Sequence, residues 1–193
     1  MQKKITVVGA GNVGATTAHI AATRQLGEIV LIDIVEGLAQ GKALDMAQAS
    51  HIQHSEQRIT GTSDWAATAQ SDIVIITSGV PRRPGMSRDD LLATNAGIVQ
   101  EVSQNIVDLS PDSIVIVVCN PLDAMVYAAA QRTAFPKQRI VGMAGALDSA
   151  RYCYFLATEL GLSVDDIRCV LMGGHGDDMV PLHRSTTVNG IPM

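Results

Sequence analysis

Ile5-Thr6-Val7-Val8-Gly9-Ala10-Gly11-Asn12-Val13-Gly14, close to the start of the chain, decides the fold. Ile5–Val8 is a run of apolar and β-branched residues without alternation, as a strand covered on both faces requires. A helical pattern follows over Val13–Thr23. Between them, Gly9-x-Gly11-x-x-Gly14 permits a tight turn and close approach of backbone to a pyrophosphate, and the helix N-terminus favours the anion. A bare GxGxxG is a weak signal; its place between a strand and a helix gives it meaning. The next strand, Ile29-Val30-Leu31-Ile32, delivers Asp33 about 20 residues beyond the glycines. A carboxylate there accepts hydrogen bonds from the adenosine ribose and repels a 2′-phosphate, which favours NAD over NADP. The bland alternative is a solvent-facing aspartate at a strand end.

Outward from this unit, strand patterns at Ile73–Thr77, Ile114–Val118 and Ile140–Gly142 alternate with helical ones at Leu38–Ser50, Asp89–Leu109 and Ala124–Thr133. Repeated strand–helix–strand order predicts an α/β fold, a Rossmann-type doubly wound parallel sheet. From Leu147 the pattern changes to a helix over Ser149–Leu160, a strand over Cys169–Met172, and a hairpin turning at Asn189-Gly190. We therefore expect an NAD-binding domain over 1–146 and the start of an α+β substrate domain over 147–193. Only three residues follow that hairpin turn, so the chain is expected to stop inside its second domain.

Composition limits the function. The net charge of -5 argues against binding a phosphate backbone, and 3% aromatic residues against base-stacking platforms. No apolar stretch approaches a membrane span, and Met1-Gln2-Lys3-Lys4 leads straight into the first strand with no secretory signal. Cys119, Cys153 and Cys169 lack metal-ligand spacing and are odd in number, so buried, reduced thiols in a cytoplasmic protein are expected. No metal site is expected.

The chemical signal lies in Leu147-Asp148-Ser149-Ala150-Arg151 and Gly173-Gly174-His175-Gly176-Asp177. Oxidising a secondary alcohol needs a base for the hydroxyl proton while hydride leaves carbon, and histidine titrates in the range that serves both directions. His175, in a glycine-flanked turn after a strand, is the candidate, with Asp148 as the acceptor for its other nitrogen. Arg151, three residues on from Asp148, could hold a substrate carboxylate bidentately, or could simply pair with Asp148 within one helix turn. A loop over Ser78–Arg88, rich in Gly and Pro, is a plausible lid whose Arg82 and Arg88 would add positive charge suited to a dianion. Val118, Cys119 and Asn120 close a strand at the crevice, where Asn120 could bond both substrate and the nicotinamide ribose or merely form a turn before Pro121. Asn95 is a softer cofactor candidate.

Taken in order, these motifs, together with Gln40-Gly41-Lys42-Ala43-Leu44-Asp45 and Asn120-Pro121-Leu122-Asp123, resemble the lactate/malate dehydrogenase superfamily, and look most like its bacterial lactate-dehydrogenase-like malate dehydrogenases. The resemblance runs through all 193 residues. It implies NAD as cofactor, a malate or oxaloacetate substrate, and a cytoplasmic homodimer or homotetramer of the tricarboxylic acid cycle, with Leu38–Ser50 as a contact surface. By the same resemblance His175 is the proton acceptor, Asp148 its partner, Arg151 the clamp on the C1 carboxylate and Arg88 the group that polarises the carbonyl. Arg82 occupies the specificity position, where arginine goes with malate enzymes and glutamine with lactate enzymes. The glycine-loop residues Gly9, Ala10, Gly11, Asn12, Val13 and Gly14, with Asp33, fall to the cofactor. Relatives continue well past Met193, so a lactate or other 2-hydroxyacid dehydrogenase, or an inactive NAD-binding fragment, are the competing readings.

Overall fold

Residues 2–81 and 84–193 are described by the computed structural model. The chain divides into two compact units, Met1–Gly142 and Met143–Met193. In the first, β1 (Lys4–Val8), α1 (Asn12–Thr23), β2 (Glu28–Ile32), α2 (Leu38–Ala49) and β3 (Ile59–Thr62) precede β4 (Ile73–Ile76), α3 (Arg88–Leu109), β5 (Ile114–Val117), α4 (Leu122–Thr133) and β6 (Ile140–Gly142). The six strands are all parallel, in the order β3-β2-β1-β4-β5-β6. This is the doubly wound arrangement expected. The order reverses between β1 and β4, and ligands bind outside the carboxyl ends of strands at such a point.

Ile5, Thr6, Val7 and Val8 of β1 are all buried, so both faces of the central strand are covered. Ala18, Ala21 and Ala22 of α1 and Ala39 and Met46 of α2 pack with Val7, Ile29 and Leu31 in one core cluster. Small alanines let these helices lie close against the sheet. Val99, Val102 and Ile106 of α3 and Met125 and Ala129 of α4 are buried as well. None of the helices described is long and apolar enough to cross a membrane.

Strand β3 was not expected. Ile59-Thr60-Gly61-Thr62 is short, half polar and interrupted by glycine, which weakens a strand signal. It forms because β2 offers an edge and α2 passes directly over it: a Cβ on Gly61 would come within 2.1 Å of the Ala39 carbonyl oxygen.

In the second unit α5 (Gly145–Leu160) is followed by β7 (Ile167–Arg168), β8 (Leu171–Met172), β9 (Val180–Pro181), β10 (Thr187–Val188) and β11 (Ile191–Pro192). β7, β10 and β11 make one antiparallel sheet, and β8 pairs with β9. The Asn189-Gly190 turn has positive φ at both residues and joins β10 to β11, as a hairpin of that sequence should. Only Leu171–Met172 of the strand expected over Cys169–Met172 is paired. The expectation of three reduced thiols is corrected: Cys153 on α5 and Cys169 form a disulfide, with their Cα atoms 6.2 Å apart, and Cys119 alone remains a free, buried thiol. Packing of α5 beside the segment entering β8, where the Leu171 amide donates to Ser149 Oγ, brings together cysteines 16 residues apart. No spacing rule announces such a pair.

Candidate active site

The crevice of the first unit is built from the carboxyl ends of β1, β2, β4 and β5. Thr77, just past β4, spans the switch point by donating its hydroxyl to the carbonyls of Val8 at 2.9 Å and Gly9 at 3.1 Å. Gly14 lies so near this turn that a Cβ would fall 1.8 Å from the Gly9 carbonyl oxygen. Gly11, the N-cap of α1, faces open space instead, and no side chain caps the helix or places a carboxylate in its first turn. The amides at the start of α1 are therefore available to an anion. At the start of α3, in contrast, Ser87 and Asp90 form a reciprocal capping box.

On one side of Gly11 a cleft of about 390 Å³ runs past Asp33. Asp33 Oδ2 accepts the Ala10 amide at 2.6 Å and Oδ1 the Val35 amide at 2.9 Å, which fixes the carboxylate at the end of β2. Ile34, Val35 and Leu38 line one wall, Ile98 and Val102 of α3 another, and Trp65 and Glu101 complete it. Lys42 donates to the Ala10 carbonyl at 2.7 Å and braces the glycine loop from α2. These wall residues escaped the sequence reading, because they come from segments that meet only in the folded chain.

On the other side, a second cleft of about 650 Å³ is lined by Asn12, Val13, Asn95, Val118, Cys119 and Asn120. Asn95 is not an exposed helix residue. It is 2% exposed, accepts the Val80 amide at 2.8 Å, and donates to the carbonyls of Val80 and Asn120 at 3.2 and 2.7 Å. It ties the loop after β4 to the turn after β5. Burial pushes the Cys119 thiol up to about 11, so at neutral pH it is an uncharged part of this wall. The two clefts share Gly11, Thr77, Gly79 and Val80. A ligand with two ends joined by a pyrophosphate fits this plan: an anion at α1, a hydroxyl-rich group at Asp33, and a second group at Asn120.

The second unit carries the polar chemistry. His175 Nδ1 lies 2.8 Å from Asp148 Oδ2, and Asp148 is 5% exposed. Its other oxygen, Oδ1, accepts from Arg151 Nη1 at 3.3 Å. The sequence separation of three puts Asp148 and Arg151 on one side of α5, and Arg151 stays largely exposed with further donors beyond the one it spends on Asp148. His175 sits at the tip of the β8–β9 connection, where the Gly176 amide bonds the Gly174 carbonyl at 3.0 Å across it. Gly173 has φ +109°, and a Cβ there would strike the Asp178 carbonyl oxygen, so only glycine suits the turn that aims the imidazole. The Asp148 carboxylate fixes the orientation of the ring through Nδ1. Arg88 is exposed at the first position of α3. Arg82 and its neighbour Arg83 lie outside the described residues.

A parallel sheet in this order, with a glycine-turned crevice at its switch point, defines the class of dinucleotide-binding domains. The lactate/malate dehydrogenase NAD-binding domain matches residues 3–142, and the lactate/malate dehydrogenase alpha/beta C-terminal domain matches residues 145–193. The chain belongs to the lactate/malate dehydrogenase family, and its first unit is the family's NAD-binding domain. It is 55% identical to a malate dehydrogenase of Roseiflexus castenholzii over 193 residues, 100% of this chain and 62% of that one. A malate dehydrogenase structure from Salinibacter ruber is 52% identical with a TM-score of 0.92, covering 98% of this chain and 60% of that one. A lactate dehydrogenase structure from Cryptosporidium parvum, in complex with lactic acid and nicotinamide adenine dinucleotide, is 40% identical with a TM-score of 0.93, covering 100% and 61%. The chain thus spans about three fifths of the length of such relatives.

Proposed function

We propose that this chain carries the cofactor domain and the proton-transfer residues of an NAD-dependent malate dehydrogenase, which interconverts (S)-malate and oxaloacetate. The observation that carries this reading is the His175–Asp148 bond at 2.8 Å with Arg151 one helical turn along. His175 Nε2 takes the C2 hydroxyl proton as the alcohol is oxidised and returns it in the other direction. Asp148 holds the ring tautomer through Nδ1. Arg151 clamps the C1 carboxylate, and Arg88 polarises the carbonyl oxygen. Arg82 meets the second carboxylate and would be left unpaired by pyruvate, which lacks one. Bound NAD supplies the hydride acceptor. Gly9 to Gly14 and Asp33 hold its pyrophosphate and adenosine ribose, and Val118, Cys119 and Asn120 border its nicotinamide end.

The same reading places the enzyme in the cytoplasm and in the tricarboxylic acid cycle. It also makes the whole protein a homodimer or homotetramer, with α2 as a contact surface; Leu44 on that helix is 60% exposed. The test follows NADH oxidation by the purified chain with oxaloacetate and, in parallel, with pyruvate. Turnover with oxaloacetate alone supports malate chemistry. A pyruvate preference overturns the role given to Arg82. Saturable NADH binding without turnover would make this chain a cofactor-binding piece only.

A further inference from the structure

We propose that Glu101 reads the 6-amino group of adenine, so that the Asp33 cleft discriminates an aminopurine dinucleotide from an oxopurine one. The proposal rests on the NAD reading above. Both Asp33 oxygens are held by backbone amides at the end of β2, so that carboxylate serves the ribose, next to the glycine loop. The base must then lie further along the cleft. Ile34 at that lip is 93% exposed, and Ile98 of α3 lines the same cleft. A planar base between them would cover apolar surface that now faces water.

Glu101 follows Ile98 by three residues, so both project from the same face of α3 into this cleft. Among the described residues no donor meets its carboxylate. Neighbouring donors are spent elsewhere: Gln104 on Asp108, and Asn105 on the Glu101 backbone carbonyl. An ionised carboxylate only accepts hydrogen bonds. The donor on the hydrogen-bonding edge of adenine is its 6-amino group, whereas hypoxanthine carries a carbonyl oxygen at that position and its own donor one ring atom along, at N1. Set opposite the 6-position, the Glu101 carboxylate attracts the amino group and repels the carbonyl oxygen. A glutamine at this position could donate as well as accept and would lose the preference.

Trp65 is the only tryptophan of the chain and lines the same cleft, so its emission reports binding through energy transfer to a reduced nicotinamide. The experiment titrates the 193-residue chain with NADH and with reduced nicotinamide hypoxanthine dinucleotide, in the wild type and in Glu101→Gln. A charged hydrogen bond at a partly exposed site predicts a Kd about tenfold weaker for the oxopurine in the wild type. In Glu101→Gln the two Kd values should fall within about twofold. Equal affinities in the wild type, or a ratio unchanged by Glu101→Gln, overturn the role of Glu101. Absence of saturable quenching with either dinucleotide overturns the NAD reading itself, a distinct result.

Discussion

Substituting alanine at Gly14 and at Gly11 should separate folding from cofactor binding. At Gly14 the new Cβ lies 1.8 Å from the Gly9 carbonyl oxygen and 2.6 Å from Thr77 Oγ1. Ordinary contact there exceeds 3 Å, so α1 must retreat from the loop by more than an ångström. Forced overpacking of this kind costs about 1–3 kcal/mol or more. Better helix propensity returns about 0.5–1 kcal/mol. A net loss of about 1–2 kcal/mol lowers Tm by roughly 2–8 °C for a chain of this size, and retreat of α1 also weakens NADH binding. At Gly11 the Cβ meets nothing within 4 Å and φ is -65°, so the fold tolerates it. Yet Gly11 lines both clefts at the α1 N-terminus, where the methyl takes the space of the pyrophosphate. Gly11→Ala should melt within about 2 °C of wild type and bind NADH at least about tenfold more weakly. Circular dichroism melts without cofactor, paired with fluorescence titrations, measure both. A wild-type Tm for Gly14→Ala, or wild-type affinity for Gly11→Ala, would refute the reasoning.

Asn95→Ala removes three bonds to the backbone of Val80 and Asn120, and denaturant unfolding should register a loss of about 2–4 kcal/mol. With its thiol raised to about 11, Cys119 is only about a thousandth thiolate at pH 8; mass spectrometry should find it unalkylated by iodoacetamide in the native chain and alkylated after unfolding. The Ser87 hydroxyl and backbone amide hold the Asp90 carboxyl below its usual range. Its support for the start of α3 is therefore present at neutral pH and lost as pH falls below about 4, through the lowered folded pKa. Hydrogen exchange should show that turn fraying in acid, and Asp90→Asn should fray at neutral pH without that dependence.

Much of the architecture was legible because it rests on local patterns. Apolar runs such as Val115–Val117 mark buried parallel strands, and the glycine turn and Asp33 sit at fixed offsets from their strands. Asn189-Gly190 has the conformation its sequence requires. What stayed hidden depends on distant partners. Ile59–Thr62 becomes a strand only because β2 and α2 accept it, Asn95 is a clamp only because two loops converge on it, and Cys153 meets Cys169 only through the packing of α5. The polar set of the site could be read from short motifs, but the walls around Asp33 could not, since Trp65, Ile98 and Glu101 carry no signature of their own.

The most direct test of the central claim, that His175 is the proton carrier, compares NADH oxidation with oxaloacetate by the wild-type chain and by His175→Asn, each alongside its NADH affinity. His175→Asn should lower the rate by about 10²–10⁴ with NADH binding unchanged. A variant within tenfold of the wild-type rate would contradict that claim.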